Sequence, residues 1–219
     1  MRSISYHTEP GGGGENGDHV LVGSHNKNGN VRICMMADGK VLRRGEETNL
    51  ADAARASRVA CETAFEAAAG YSVSELFQSS TWRDVLRRAD EAVSEASNTG
   101  TTLLGFAASD RFVCGASVGE SKLYSRFAAN RVTELTARQW KNPPLGSGHI
   151  IVTPFFEQVP PGSVYMAASD GAWKHTDFED IQQALGMTNA YNAIEYLRAA
   201  VVEKQGSLPD DFSVIELCI

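Results

Sequence analysis

The chain alternates between short apolar runs bounded by turn residues and longer stretches with apolar positions three and four apart. After a glycine-rich opening, "DHVLVGS" and "VRICMMA" read as two strands joined by the polar turn segment "HNKNGN". A long helix follows. Asn49 is its cap, Asp52 lies in its first turn, Ala53, Ala60, Ala64 and Ala68 supply apolar positions, and Gly70 is its stop. A second helix begins near Thr81, which forms a capping-box-like pair with Asp84. It carries Trp82, Val85, Leu86, Ala89 and Val93 on one face. "GTTLLGFAAS" and "RFVCGASVGE" flank Asp110 as a hairpin, and "SKLYSRF" reads as a further strand. Pro143, Pro144 and Gly146 make the segment from Thr136 to Gly148 mostly loop. "HIIVTP" is short and extended, and "SVYMAAS" is a buried strand. Thr176 and Glu179 form a second capping box, opening a helix that ends near Gly186. Another helix carries Ala193, Ile194, Leu197 and Val201, and "FSVIELCI" closes the chain as a strand.

Strands, two helices, strands, two helices and a final strand, with short turns between consecutive strands, favour antiparallel pairing over a doubly wound parallel sheet. The expected fold is α+β, with sheets packed on each other and covered by helices. No internal repeat or linker divides the chain, so residues 15–219 read as one domain behind a flexible leader at 1–14. Gly11 to Gly14 look like a phosphate loop, but no strand precedes them and no convincing helix follows.

Charge narrows the partners. A formal net charge of −7 over 219 residues argues against a nucleic-acid backbone as main partner. The apolar runs are too short to span a membrane, and "MRSISYHTEPGGGG" has no apolar signal core, so the expected location is cytoplasmic. The four cysteines, Cys34, Cys61, Cys114 and Cys218, show no zinc-type spacing and read as small hydrophobes.

Three strands carry acidic residues at one end: Asp38-Gly39 after "VRICMMA", Asp170-Gly171 after "VYMAAS", and Asp210-Asp211 before "FSVIELCI". A turn explains each taken singly. If the three ends converge, the carboxylates repel unless positive charge sits among them, and oxygen-rich clusters suit hard cations such as magnesium or manganese.

The ordered segments "ENGDHVLV", "MMADGK", "GTTLLGFAASDRFVCGASVGESKLY", "VYMAASDGAW" and "PDDFSVIEL" resemble the metal-dependent protein phosphatases of the 2C type, in a divergent bacterial-type form. They span nearly the whole chain, and the strand–GTT–hairpin–VGES unit between the two Asp-Gly elements is the specific part. The resemblance implies a four-layer α-β-β-α sandwich. It implies a serine/threonine protein phosphatase that hydrolyses phosphomonoesters with a water activated between two metal ions, roughly 3.5–4 Å apart. It implies Mg2+ or Mn2+ held by Asp38, the Gly39 carbonyl, Asp170 and Asp210, with Asp18 ordering water. It also implies signalling partners: a phosphoprotein substrate and a paired serine/threonine kinase.

Departures accompany the resemblance. Gly17 stands where the family usually has Glu or Gln, and Gly13 where many members place a phosphate-holding arginine. Arg43, Arg44, Lys40 or Lys174 could supply that charge. Glu120 stands where a third-metal ligand usually sits, and Lys174 replaces an aspartate at another such position. These departures motivate a rival from another class: a catalytically weak or inactive phosphatase-like binding or regulatory module. Asp211 reads as a capping residue, and Trp173 as packing beside the site.

Overall fold

The computed structural model describes residues 3–12, 14–26, 28–40, 50–127 and 131–219. Its strands are β1 (Ser3–Glu9), β2 (Asp18–His25), β3 (Asn28–Lys40), β4 (Gly100–Thr101), β5 (Leu103–Ala108), β6 (Phe112–Val118), β7 (Lys122–Phe127), β8 (Arg131–Glu134), β9 (Thr153–Gln158), β10 (Val164–Ala168) and β11 (Phe212–Cys218). Its helices are α1 (Leu50–Gly70), α2 (Val73–Leu76), α3 (Ser79–Ala96), α4 (Asp170–Trp173), α5 (Phe178–Leu185) and α6 (Ala190–Gln205).

The strands form two antiparallel sheets. One has the order β2-β3-β5-β6-β9 with β4 beside β3, and the other β1-β11-β10-β7-β8. Strand side chains alternate between faces, and the central strands are apolar on both because both faces are covered. In β3, Ile33, Met35 and Ala37 join a core beneath α1 and α3, while Cys34 and Met36 face the space between the sheets. In β11, Ile215 and Leu217 enter the inter-sheet core, while Phe212, Val214 and Cys218 pack towards α5 and α6. The result is the α-β-β-α sandwich.

The alanine face of α1 (Ala53, Ala56, Ala60, Ala64, Ala68) lets that helix lie close on its sheet. Opposite it, a Cβ on Gly23 would stand 2.4 Å from the Phe65 ring. Trp82 is fully buried with its indole N–H satisfied by the Leu76 carbonyl at 2.8 Å, as a buried tryptophan requires. All four cysteines are free and buried.

Three local expectations change. Residues 3–9, read as part of a flexible leader, form β1, which pairs with β11 from Ser3↔Cys218 to Glu9↔Phe212. Backbone pairing rather than apolar content holds this edge strand: Ile4 and Tyr6 alternate with polar residues, and Tyr6 is exposed. The helix expected near Thr81 starts at Ser79, with Gln78 at the cap. Asp84 is not its capping partner, because it accepts hydrogen bonds from the Tyr71 hydroxyl and from Arg87 and Arg88. The second capping box lies one residue later than Thr176–Glu179: Asp177 caps α5, and Asp180 returns the bond. Asn49 lies outside the described residues.

Candidate metal centre

Antiparallel pairing brings the chemically loaded strand ends to one edge of the sandwich. Asp18 opens β2 directly opposite Asp38 near the end of β3. Glu120 follows β6, Asp170 follows β10, and Asp210 and Asp211 precede β11. Asp38, Glu120 and Asp170 each offer a carboxylate oxygen within 4.8 Å of the others. Asp210 lies outside this triad but close enough for its charge to act on Asp38.

The threonines of "GTT" hold Asp38 by its backbone. The Asp38 N–H donates to Thr102 Oγ1 at 3.0 Å, and the Asp38 carbonyl accepts from the Thr102 N–H and the Thr101 hydroxyl, each at 2.9 Å. Thr102 Oγ1 also lies 3.3 Å from Ser121 Oγ, linking the clamp to the segment that carries Glu120. Gly119 adopts a φ of +108°, and a Cβ there would meet the Thr102 methyl at 2.5 Å. That position therefore requires glycine on both conformational and packing grounds. The Trp173 indole N–H donates to the Glu120 carbonyl at 3.1 Å, and Lys122 Nζ sits 4.0 Å from the centre of the Trp173 ring.

The glycines after the two aspartates permit close packing of protein on protein. A Cβ on Gly39 would stand 2.3 Å from the Ala53 carbonyl oxygen, and one on Gly171 would stand 2.1 Å from that of Asp211. Asp211 is a tie. Its carboxylate accepts from the Gly11 N–H at 2.8 Å and the Gly17 N–H at 2.6 Å, fastening residues 11 and 17 to the start of β11. A Cβ on Gly17 would stand 3.0 Å from that carboxylate, which accounts locally for glycine there.

Three lysines meet the triad. Lys40 Nζ lies 2.5 Å from Asp38, 2.9 Å from Glu120 and 3.6 Å from Asp170. Lys174 Nζ lies 2.8 Å from Asp170 and 2.9 Å from Glu120, and Lys141 Nζ lies 2.9 Å from Glu120. Burial opposes ionisation of Glu120, but the three ammonium groups hold its carboxyl down at about 2. Asp38 moves the other way: burial, then the charge of Asp170, push it up to about 7 against the pull of Lys40. Asp18 is raised well above its ordinary value by burial and then by Asp38, against the pull of the Ser213 and Ser169 hydroxyls, and its Oδ2 is buried with no hydrogen-bond partner among the described residues. Burial and Asp170 also raise Asp210.

Among the described residues, six carboxylates (Asp18, Asp38, Glu120, Asp170, Asp210, Asp211) thus share one edge with three ammonium groups. The donors are oxygens, negative charge is in excess, and Asp38 and Asp18 show the cost of that excess. This donor set fits a hard divalent cation.

Of the residues the sequence nominates, Asp38, Glu120 and Asp170 form the triad, Asp18 and Asp210 flank it, and Lys174 borders it. Gly39 follows Asp38 in β3, its N–H donating to the Gly17 carbonyl at 3.0 Å. Arg43, Arg44 and Gly13 lie outside the described residues. Lys141 was missed: "QWKNPP" is loop sequence with no signal that its lysine reaches Glu120.

No family model matches the sequence, and no curated relative matches it. Solved structures do match. The Mycobacterium tuberculosis serine/threonine phosphatase PstP/Ppp superposes with a TM-score of 0.79 at 17% identity, covering 98% of this chain and 97% of that one. The fold is that of the PPM phosphatases. The catalytic domain of PstP in complex with two manganese ions gives a TM-score of 0.78 at 16% identity, covering 99% and 98%. The PPM Ser-Thr phosphatase MsPP from Mycobacterium smegmatis, in complex with cacodylate, gives 0.74 at 20% identity, covering 98% and 97%. The PPM fold places the Asp38–Glu120–Asp170 triad at the sheet edge described above.

Proposed function

We propose that this chain is a divalent-metal-dependent phosphatase that hydrolyses phosphoserine and phosphothreonine esters in proteins. The observation that carries the proposal is the convergence of Asp38, Glu120 and Asp170, oxygens within 4.8 Å, at the edge of a PPM-fold sandwich. Asp38, Asp170 and Glu120 would hold metal, with Asp210 and the Gly39 carbonyl beside them. A bound Mg2+ or Mn2+ pair would supply an activated water and charge stabilisation for the phosphoryl oxygens.

The chain's own residues do the rest. Thr101 and Thr102 fix the Asp38 backbone, so its carboxylate is presented in one place. Asp18, buried across the strand pair from Asp38 with one oxygen unpartnered among the described residues, is the acceptor for a proton or a water beside the triad. Lys174 and Lys141 stand at the rim, the Lys141 side chain 60% exposed, where they attract a phosphate dianion. They take the place of an arginine on the substrate side. A cytoplasmic setting and a partner serine/threonine kinase complete the proposal. Among the described residues, no helix is long and apolar enough to cross a membrane.

A second reading, a non-catalytic binding module, is favoured by one observation: lysines already contact every carboxylate of the triad. Turnover separates the two readings. Asp38→Asn and Asp170→Asn each abolish hydrolysis of a phosphothreonine peptide while far-UV circular dichroism stays unchanged. A folded wild type with no turnover in any metal supports the module, and full activity in both variants overturns the site assignment.

A further inference from the structure

Lys40 directly follows the Asp38-Gly39 pair at the end of β3. Its ammonium contacts all three triad carboxylates at 2.5, 2.9 and 3.6 Å, which Lys174 and Lys141 do not. Lys40, Lys141 and Lys174 bring three positive charges to the triad and offset part of the negative charge gathered at this edge. We propose that Lys40 is a built-in competitor of the divalent cation, its ammonium holding the triad until the metal displaces it. The inference rests on the functional reading above and concerns how that same site is loaded.

First, an ion ligated by the same three carboxylates competes for the space in which the ammonium makes its contacts. Second, an ammonium and a dication beside one another repel strongly where solvent is scarce, and the Lys40 side chain is only 25% exposed. Third, the lysine stem has four rotatable bonds, so the ammonium can leave while the backbone of β3 stays paired. Lys174 contacts two of the carboxylates from the end of α4 and is 34% exposed, so it can remain at the rim when metal enters. The consequence is a triad whose charge Lys40 offsets in part and that loads only above a raised metal concentration.

The test uses Mn2+ alone. Isothermal titration of the wild type, Lys40→Met and Lys40→Arg reads metal affinity without turnover. Lys40→Met is expected to bind Mn2+ about ten- to a hundredfold more tightly than wild type, the range set by removing one close like charge. Lys40→Arg keeps the charge and stays within a few fold of wild type. A second measurement needs no variant: acetic anhydride labelling of wild type, read by mass spectrometry. Acylation of Lys40 is expected to rise several-fold on adding Mn2+, while Lys204, paired with Asp177 and Asp180, is unchanged. Wild type that binds Mn2+ while Lys40→Met binds no more tightly, or while Lys40 stays protected, overturns the competitor and leaves the phosphatase reading standing. No Mn2+ binding by wild type or variants overturns both.

Discussion

The Thr102 clamp predicts a specific deficit. Thr102 is 1% exposed, and its hydroxyl is the acceptor for the Asp38 N–H at 3.0 Å and a neighbour of the Ser121 hydroxyl at 3.3 Å. Thr102→Val exchanges that hydroxyl for a methyl of similar size and leaves the main-chain bond from the Thr102 N–H to the Asp38 carbonyl in place. The Thr101 hydroxyl bond to the same carbonyl also survives. What is lost is one acceptor for a buried N–H, a loss of about 1–3 kcal/mol. Thr102→Ser keeps the acceptor and loses only a buried methyl, about 0.8 kcal/mol. Urea unfolding monitored by tryptophan fluorescence measures both. The valine variant is expected to lose clearly more than the serine variant and to bind Mn2+ several-fold more weakly, because Asp38 is no longer held from that side. A valine variant within about 0.5 kcal/mol of wild type, with unchanged Mn2+ affinity, refutes the clamp, since surface-like changes lie in that range.

Three further outcomes follow from the packing. Burial raises the carboxyl of Glu216 from its ordinary 4.5 to about 8, so the folded state binds the proton more tightly than the unfolded one. The contribution of Glu216 to stability should be greatest below about pH 4.5, fall as pH rises towards about 8, and then level off, an effect on the order of 5 kcal/mol at about 1.4 kcal/mol per pH unit. Glu216→Gln should flatten that dependence, and unfolding curves at several pH values with equal slopes in both proteins would count against it. Gly171→Ala places a Cβ 2.1 Å from the Asp211 carbonyl oxygen, so it should destabilise by several kcal/mol or prevent folding; a variant melting like wild type contradicts the close packing there. Asp211→Ala removes the acceptor of the Gly11 and Gly17 N–H groups and should cost about 1.5–3 kcal/mol per charge-assisted bond. Amide exchange at residues 11 and 17 should quicken in that variant; unchanged protection rules out the tie.

Much of the architecture was legible because the central strands are apolar on both faces. Runs such as "VRICMMA" and "FSVIELC" are covered by a helix layer on one side and the other sheet on the other. The edge strand β1 was not legible: it is held by main-chain pairing to β11, and its sequence alternates weakly beside a glycine-rich segment. Helix caps were misplaced by one to three residues, because several Ser, Thr and Asp candidates lie together and tertiary partners decide among them. Asp84, drawn away by Tyr71 and two arginines, is the clearest case.

The acidic strand ends were legible, and their convergence follows from antiparallel pairing. Glu120, whose longer side chain reaches inward from the end of β6, joins Asp38 and Asp170, while Asp210 stands outside the triad. The lysines were the least legible part. Lys40 and Lys174 are each one cation beside an acidic motif in sequence, and only the fold shows Lys40 meeting Asp38, Glu120 and Asp170 while Lys174 meets the last two.

The central claim is metal-dependent phosphoester hydrolysis. The measurement that tests it most directly is phosphate release from a phosphothreonine peptide by the wild-type protein, with Mn2+ and again after chelation. The account predicts turnover with Mn2+ that chelation stops and added Mn2+ restores. Turnover that persists after chelation, or a folded protein that releases no phosphate at any Mn2+ concentration, would contradict it.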